Sequence, residues 1–385
     1  MWQSSSTGIS WQGPKRRRSC SDRLLIVRNE IPMRPLGIGI AGAGAIAQRN
    51  AREAAASGAA FVAGVFDTNQ KVARDMGRAL KAPVCASYAE LLDRKDVEAV
   101  LISTPHHLHC PMTTEAAAAG KHVLVEKPIA NNLREATEMI GACRAAGVAL
   151  AVNYSFRYLP KVQRARQLIE DGALGDIVGQ QIVAHKYKDR GYWTGASSNS
   201  PDDWRASREK CGGGYLIMNV CHVIDYLAFI TGLGAKRVYS EYATLTSPAE
   251  VEDTLSVSYR LNNGAIGSIS GSSSMRGADN SEERIWGTNG TLVIGYEGLS
   301  VYSTRPCGGL RPGKLHKLTK FPEVSWTAAW VRGFVDAVRA GREPDVGVLE
   351  GWNNLAFIET AYRSQEEGRP LEVPPLPATV ARPSI

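Results

Sequence analysis

At 385 residues the chain is long enough for two domains that each bury a core. Its 44% hydrophobic and 22% charged content is ordinary for a soluble globular protein. No run reaches the roughly 18 apolar residues of a membrane-spanning helix, which argues against an integral membrane protein. The net charge of +7 is unevenly placed: residues 1–33 hold six basic residues against Asp22 and Glu30, a net of +4, so the remainder carries only +3. A basic tail can touch polyanions, but a nearly balanced body is not expected to read nucleic acid.

Residues 1–33 are rich in Ser, Arg and Gly and lack apolar periodicity, so they read as a disordered basic extension. The arginines of "KRRRSC" resemble the start of an export signal, yet the apolar run after them spans only Leu24 to Val27. An export signal needs about 7–15 such residues, so a cytoplasmic protein is expected. The seven cysteines are odd in number and lack C-x-x-C spacing, which fits reduced thiols better than a disulfide framework or a zinc site.

From Leu36 the stretch "LGIGIAGAGAIAQRNAREAAA" reads as a buried strand, a glycine turn and an alanine-rich helix. Gly42-Ala43-Gly44-Ala45-Ile46-Ala47 matches G-x-G-x-x-G/A. Gly42 suits the tight turn, Gly44 lets backbone approach a pyrophosphate, and Ala47 keeps the helix near the strand. The helix N-terminus offers free N–H groups and positive dipole to the anion. A second strand, "FVAGVFD", ends in Asp67, the acidic position that binds the adenine ribose hydroxyls. Asp67 would repel a 2′-phosphate and no Arg adjoins it, so NAD is expected over NADP.

Helices over 71–80, 88–94, 109–120 and 132–146 alternate with strands "VEAVLIST", "KHVLVEK" and "VALAVNY", with "PVCASY" a short strand or loop. That alternation implies a parallel, doubly wound sheet, whose ligands bind at the strands' carboxyl ends. Beyond Ile177 the pattern changes to β-runs with hairpin signals at "NNG" (262–264) and "TNG" (288–290), around one helix from Tyr215 to Ile230 closed by Gly232. The expected second domain is therefore an antiparallel sheet with a helix on one face. Its other face would suit a homo-oligomer, a dimer or tetramer. Helices around 326–340 and 350–366 are expected to pack back on the first domain.

With "GAGAIA", "STPHHLH" and "GKHVLVEKPIA" in place, the chain resembles the Gfo/Idh/MocA oxidoreductases from about Arg34 to about Val373. Glu126-Lys127-Pro128, "FRYLP" at 156–160 and "GGG" before a helical His also match that pattern. The resemblance implies an α/β chain: a Rossmann domain over 34–153, then an α/β domain with an open, mostly antiparallel sheet over 154–373, and a tail over 374–385. It further implies NAD(P)-dependent oxidation or reduction of a carbinol on a sugar, glycoside or cyclitol. Lys127 then contacts the substrate hydroxyl and Glu126 the nicotinamide half. Thr104 and Pro105 pack near the nicotinamide ribose, and His109 belongs with the cofactor loop.

Alcohol oxidation needs a group to take the hydroxyl proton, and His titrates near working pH. His222 follows the glycines of "CGGGYLIMNVCHVID" by two turns, and Asn219 shares its helical face. The family places its acid/base His at this spacing, so His222 is the expected base with Lys127. Many members carry an Asp four residues before that His; this chain has Met218, which leaves proton removal to Lys127 and His222 alone. Asn219 can bond a sugar hydroxyl but cannot act as a base. The glycine run is expected to admit a ligand, and Asp225 to be structural. Tyr154, Arg157, Trp204 and Arg205 are expected to line a sugar site. "PHHLHC" lacks a second ligand set at metal spacing, so no metal is expected. Two other readings remain: an NAD-using glycosidase or lyase with transient oxidation, and a non-catalytic dinucleotide sensor.

Overall fold

The computed structural model describes residues 34–195, 204–277, 279–378 and 380; the extension over 1–33 lies outside the described residues. Strand β1 (Leu36–Ala41) leads to α1 (Ala45–Ala56), β2 (Ala60–Phe66), α2 (Gln70–Leu80) and α3 (Tyr88–Asp93). Then come β3 (Ala99–Ile102), α4 (His109–Ala118), β4 (His122–Val125), α5 (Leu133–Ala145) and β5 (Leu150–Val152). The five strands form one parallel sheet in the order β2-β1-β3-β4-β5. β1, β3 and β5 are buried throughout, as strands covered by helices on both faces must be. "PVCASY" contributes only a bridge between Val84 and Val65. The strand order reverses between β1 and β3, so the loops after those two strands flank a crevice.

Chain-local signals set these helices. Asn69 caps α2 by accepting from the backbone N–H of Lys71 and Val72, Ser87 caps α3 at Glu90, and Asn132 caps α5 at Glu135. A helix the sequence patterns did not announce, α6 (Pro160–Glu170), starts with proline at its first position, where no N–H is needed.

The second sheet has nine strands: β6 (Ile177–His185), β7 (Ala235–Ala243), β8 (Thr254–Leu261), β9 (Ile266–Ser272), β10 (Asn280–Gly287), β11 (Gly290–Ile294), β12 (Leu299–Ser303), β13 (Leu315–Leu318) and β14 (Leu371–Glu372). Their order is β13-β12-β11-β10-β6-β9-β8-β7-β14, antiparallel except for the β6–β9 pair. Both hairpins announced by "NNG" and "TNG" form, joining β8 to β9 and β10 to β11. β12, β13 and β14 escaped the sequence patterns because each is short and lies toward an edge of the sheet.

Between β6 and β7 lie two short helices, α7 (Arg190–Trp193) and α8 (Arg208–Cys211), then a π-helical turn (Leu216–Val220) running into α9 (Cys221–Thr231). Gly232 closes α9 in the left-handed conformation at φ 69°. The span Arg208–Thr231 is apolar enough over 18 residues to cross a membrane by length and composition. It is 67% buried inside the fold over that window, which makes it a core helix here.

The last helices are α10 (Trp326–Arg339) and α11 (Val348–Glu366). Both reach the first sheet's layer: Arg332 donates to the Ser57 carbonyl at 2.8 Å, and Trp352 Nε1 to Thr137 at 3.2 Å. α11 also touches the second sheet, where its Gln365 donates to the Tyr242 carbonyl at 2.9 Å. Near the C-terminus Val380 is buried, and its carbonyl accepts from Arg144 at 2.9 Å.

Candidate active site

The glycine turn after β1 is built as its motif requires. Gly42 has φ +89°, and a Cβ there would lie 2.7 Å from the Ser103 carbonyl oxygen, so only glycine fits. Gly44 caps α1 without a side-chain acceptor, which leaves the first-turn N–H groups without a side-chain cap. Asp67, at the end of β2, turns its carboxylate back toward the same turn. Its oxygens accept from Ala43 N at 2.6 Å and Asn69 N at 2.7 Å.

A cleft of about 340 Å³ opens here, bordered by Gly42, Gly44, Ala45, Ile46 and Asp67 on one side and Thr104 and Pro105 on the other. Ile46 is half exposed to it at the head of α1. Two buried hydroxyls after β3, Ser103 Oγ and Thr104 Oγ1, have no hydrogen-bond partner among the described residues, although both residues border the cleft. Such orphaned donors call for a polar ligand. A cradle lacking Cβ, an open helix N-terminus and a carboxylate at the ribose position fit a dinucleotide.

Trp204 and Arg205 border this same cleft. Trp204 meets the buried His106 ring edge-on at 4.6 Å, and the Arg205 guanidinium lies 4.5 Å from the Trp204 ring centroid and 5.3 Å from that of Tyr192. Their geometry therefore puts them beside the glycine turn rather than apart from it. His109 is wholly buried, with Nδ1 at 2.9 Å from the Pro128 carbonyl and Nε2 at 3.2 Å from the Thr104 carbonyl. It ties the loop after β3 to the loop after β4, and burial pulls its pKa down to about 4.

Glu126 is buried at the end of β4, where its Oε1 accepts from Asn50 of α1 at 2.5 Å and from Asn153 at 2.7 Å. Burial raises its pKa, against the pull of Lys127 and the two amides. This carboxylate therefore spans helix and sheet beneath the cleft. Lys127, joined to Pro128 by a cis peptide, points the other way and donates from Nζ to the Met218 carbonyl at 2.5 Å.

The turn that carries this carbonyl is π-helical. Cys221 N bonds back to Leu216 O, five residues away, so the turn is wider than an α-helix. Such bulges disturb the carbonyl ladder, and they recur at functional sites. The glycines ahead of the turn serve the protein's own packing, which differs from the expected ligand approach. A Cβ on Gly214 would sit 2.0 Å from the Glu252 carbonyl oxygen. The buried Glu252 carboxylate accepts from the N–H of Gly214 at 2.7 Å and of Leu216 at 2.9 Å, capping the helix start.

One turn beyond Met218, His222 stacks on Phe156 at 4.4 Å and meets Tyr154 edge-on at 6.2 Å. Neither of its ring nitrogens has a hydrogen-bond partner among the described residues, and Nδ1 is buried. Burial, with Lys127 and then Lys186 adding to it, pulls its pKa well below the ordinary imidazole value, so the ring is neutral at working pH. Tyr154 Oη is likewise buried and unpartnered. Asn219 Oδ1 accepts from Tyr192 Oη at 3.2 Å, which leaves its amide N–H groups free of that bond. Tyr192 Oη also lies 3.6 Å from Met218 Sδ, and burial pushes its pKa up to about 12.

Arg157, by contrast, is spent within the protein. Its Nε and Nη2 donate to the two oxygens of Asp225 at 2.7 and 2.6 Å, and Nη1 lies 3.7 Å from Glu350. Asp225 is thus held, buried, in this ion pair. Among the described residues no group of three metal-ligating side chains occurs. The sequence reading gave no site role to Tyr192, Lys186 or Lys188, and named Phe156 only as part of "FRYLP". The alternation of the two lysines in "HKYK", past the end of a strand with Ile182 and Ala184 buried, was the one available signal.

Family models account for both halves of the chain. Residues 36–154 match the oxidoreductase family with the NAD-binding Rossmann fold, and residues 162–293 match the GFO/IDH/MocA C-terminal domain. The chain belongs to the Gfo/Idh/MocA oxidoreductase family. Its first half is thus an NAD-binding Rossmann fold. Among Gfo/Idh/MocA relatives, it is 29% identical over 235 residues to levoglucosan dehydrogenase of Pseudarthrobacter phenanthrenivorans, covering 55% of this chain and 59% of that protein. It is 30% identical over 223 residues to 1,5-anhydro-D-fructose reductase of Ensifer adhaerens, covering 58% and 63%. The match thus spans less than two thirds of either relative. A solved levoglucosan dehydrogenase in complex with NADH and levoglucosan superposes with a TM-score of 0.79 at 22% identity, over 89% of this chain and 100% of that one. That likeness shows the fold.

Proposed function

We propose that this protein is an NAD-dependent dehydrogenase of a carbinol on a sugar, glycoside or cyclitol, with His222 and Lys127 handling the hydroxyl proton. The observation that carries the reading is a neutral histidine with unpartnered ring nitrogens, one helical turn from the carbonyl that holds Lys127. The names of the relatives, levoglucosan dehydrogenase and 1,5-anhydro-D-fructose reductase, support the same class.

In the oxidation direction a nicotinamide held at the glycine turn and Asp67 would supply the two-electron acceptor for hydride from the carbinol carbon. His222 accepts the hydroxyl proton as the carbonyl forms, and it must be neutral to do so. Lys127 spends one of its three N–H donors on Met218, which leaves two for the developing alkoxide. The Asn219 amide, steadied by Tyr192, is suited to orient a neighbouring hydroxyl. Asp67 suits the ribose diol of NAD, and its charge opposes a 2′-phosphate.

The test is purified protein with NAD and a panel of free sugars, glycosides and cyclitols, followed by cofactor reduction. At least one member of the panel should be oxidised. Silence across the panel, with NADH binding intact, would overturn the reading.

A further inference from the structure

Two lysines beside the candidate active site have no assigned task. Lys186 and Lys188 follow the end of β6, Lys186 exposed and Lys188 half-buried. Their backbone N–H groups donate to the carbonyls of the consecutive residues Ser272 and Ser273, each at 2.8 Å, so the segment stays tied to the end of β9 although the regular ladder has ended. Lys188 Nζ lies 4.6 Å from the centre of the Tyr192 ring, whose hydroxyl meets Asn219 and Met218. Lys127 bonds the carbonyl of that same Met218. Lys127 and Lys188 thus flank one tyrosine and one helical turn, and the charge of the exposed Lys186 acts on both Lys188 and His222.

Their charge is poorly balanced. Lys127, Lys186 and Lys188 form no ion pair with a carboxylate among the described residues. Lys188 is half-buried, and burial lowers its pKa first, with Lys186, Lys127 and Arg205 adding to the fall and Asp279 opposing it. A cation held partly out of water beside like charges is costly unless an anion joins it. Arg205 borders the dinucleotide cleft, where phosphate charge is at hand; Lys186 and Lys188 do not border that cleft.

We propose that the substrate is an acidic sugar, whose carboxylate or phosphate is held by Lys188 and Lys186 while its reacting carbinol meets Lys127 and His222. This rests on the dehydrogenase reading for the placement of the carbinol, but the anion site can be tested without turnover. An oxyanion beside Lys188 would gain a half-buried ammonium donor, with the Lys186 charge acting on the same place, and displace no existing ion pair among the described residues.

The experiment titrates the NADH-loaded protein with glucuronate, glucose 6-phosphate and glucose at low ionic strength, reading heat or quenching of NADH fluorescence. At least one acidic sugar should bind about tenfold or more tighter than glucose, and added salt should erode the difference. Lys188→Gln and Lys186→Gln should each reduce that preference by about threefold or more, and Lys188→Arg should retain it. Unchanged NADH affinity and melting temperature in the variants separate a lost anion site from misfolding. Preference for glucuronate alone assigns a carboxylate, and for glucose 6-phosphate alone a phosphate. Equal binding of all three sugars, or a preference untouched by both glutamine variants, would overturn the proposal. If the preference holds while no sugar reduces NAD, the anion site stands and the dehydrogenase reading fails.

Discussion

The Lys127 ammonium donates to the Met218 carbonyl at 2.5 Å, joining the loop after β4 to the π-helical turn that precedes His222. Where many family members are expected to offer a carboxylate to this region, Met218 offers its backbone. A carbonyl can orient an ammonium but cannot take a proton from the substrate, so in the proposed mechanism that proton falls to His222.

Replacing Lys127 by Ala should therefore cut kcat by about 10²–10⁴-fold, the range for losing a positioned proton-handling or oxyanion-stabilising group. NADH affinity should move much less, because the glycine turn and Asp67 stand apart from this contact. Steady-state kinetics alongside NADH fluorescence titration checks the split. A variant with normal kcat would remove Lys127 from the chemistry.

His222 is held neutral by burial and by Lys127 and Lys186, so its working pKa lies below 6.5. In the oxidation direction the rate should be insensitive to this group above about pH 6.5 and fall on the acid side, as the ring protonates. His222→Gln should remove that acid limb along with most of the turnover. A pH profile of kcat with and without the substitution measures both effects.

Acid should also weaken the fold. His106, His109 and His222 are held below the ordinary imidazole value by burial, and the half-buried His122 is lowered in the same way. Unfolded imidazoles titrate near 6.5. Between that value and the folded one the unfolded chain binds the extra protons, so stability is fully present above about pH 6.5 and is lost as pH falls. For His109 alone, at about 4, the loss is on the order of 3 kcal/mol once both states are protonated. Urea unfolding at pH 7.5, 6 and 5 should show it, and His109→Gln should flatten part of the slope.

The buried Arg157–Asp225 pair should respond asymmetrically. Removing one partner leaves a charge without its counter-ion, at about 3–5 kcal/mol. Arg157→Met with Asp225→Leu should cost less than either change alone, which a double-mutant cycle by thermal unfolding would measure. Because Asp225 lies three residues beyond His222 on α9, the single variants should also lower kcat through misplacement of the imidazole.

At the cofactor end, Asp67→Asn should raise the KM for NAD by about tenfold and narrow its advantage over NADP. The carboxylate both accepts from the Ala43 N–H and opposes a 2′-phosphate. Parallel kinetics with the two cofactors reads the ratio, and an unchanged ratio would remove Asp67 from cofactor choice.

Much of this arrangement was legible one segment at a time. The glycine turn, the acidic end of the second strand, the two hairpins and the helix closed by Gly232 are short-range patterns, because each rests on backbone conformation or on neighbours within a few residues. Lys127, Glu126 and His222 were legible through the motifs around them. The tasks of Arg157 and of the glycine run were not. The guanidinium is consumed by an aspartate 68 residues away, and Gly214 makes room for the carbonyl of Glu252, 38 residues on. Nothing local to either position encodes those partners.

By itself, then, the sequence determined the doubly wound first half, the change to hairpin-linked strands, and which cation and imidazole to watch, since periodicity and turn chemistry act over a few residues. Tertiary structure alone decided that the Met218 carbonyl holds Lys127, that Trp204 and Arg205 stand at the dinucleotide cleft, and that His222 is neutral. Each depends on which distant groups close around a side chain and exclude water from it, and hydrogen bonding and desolvation are properties of that assembled surrounding, not of the segment.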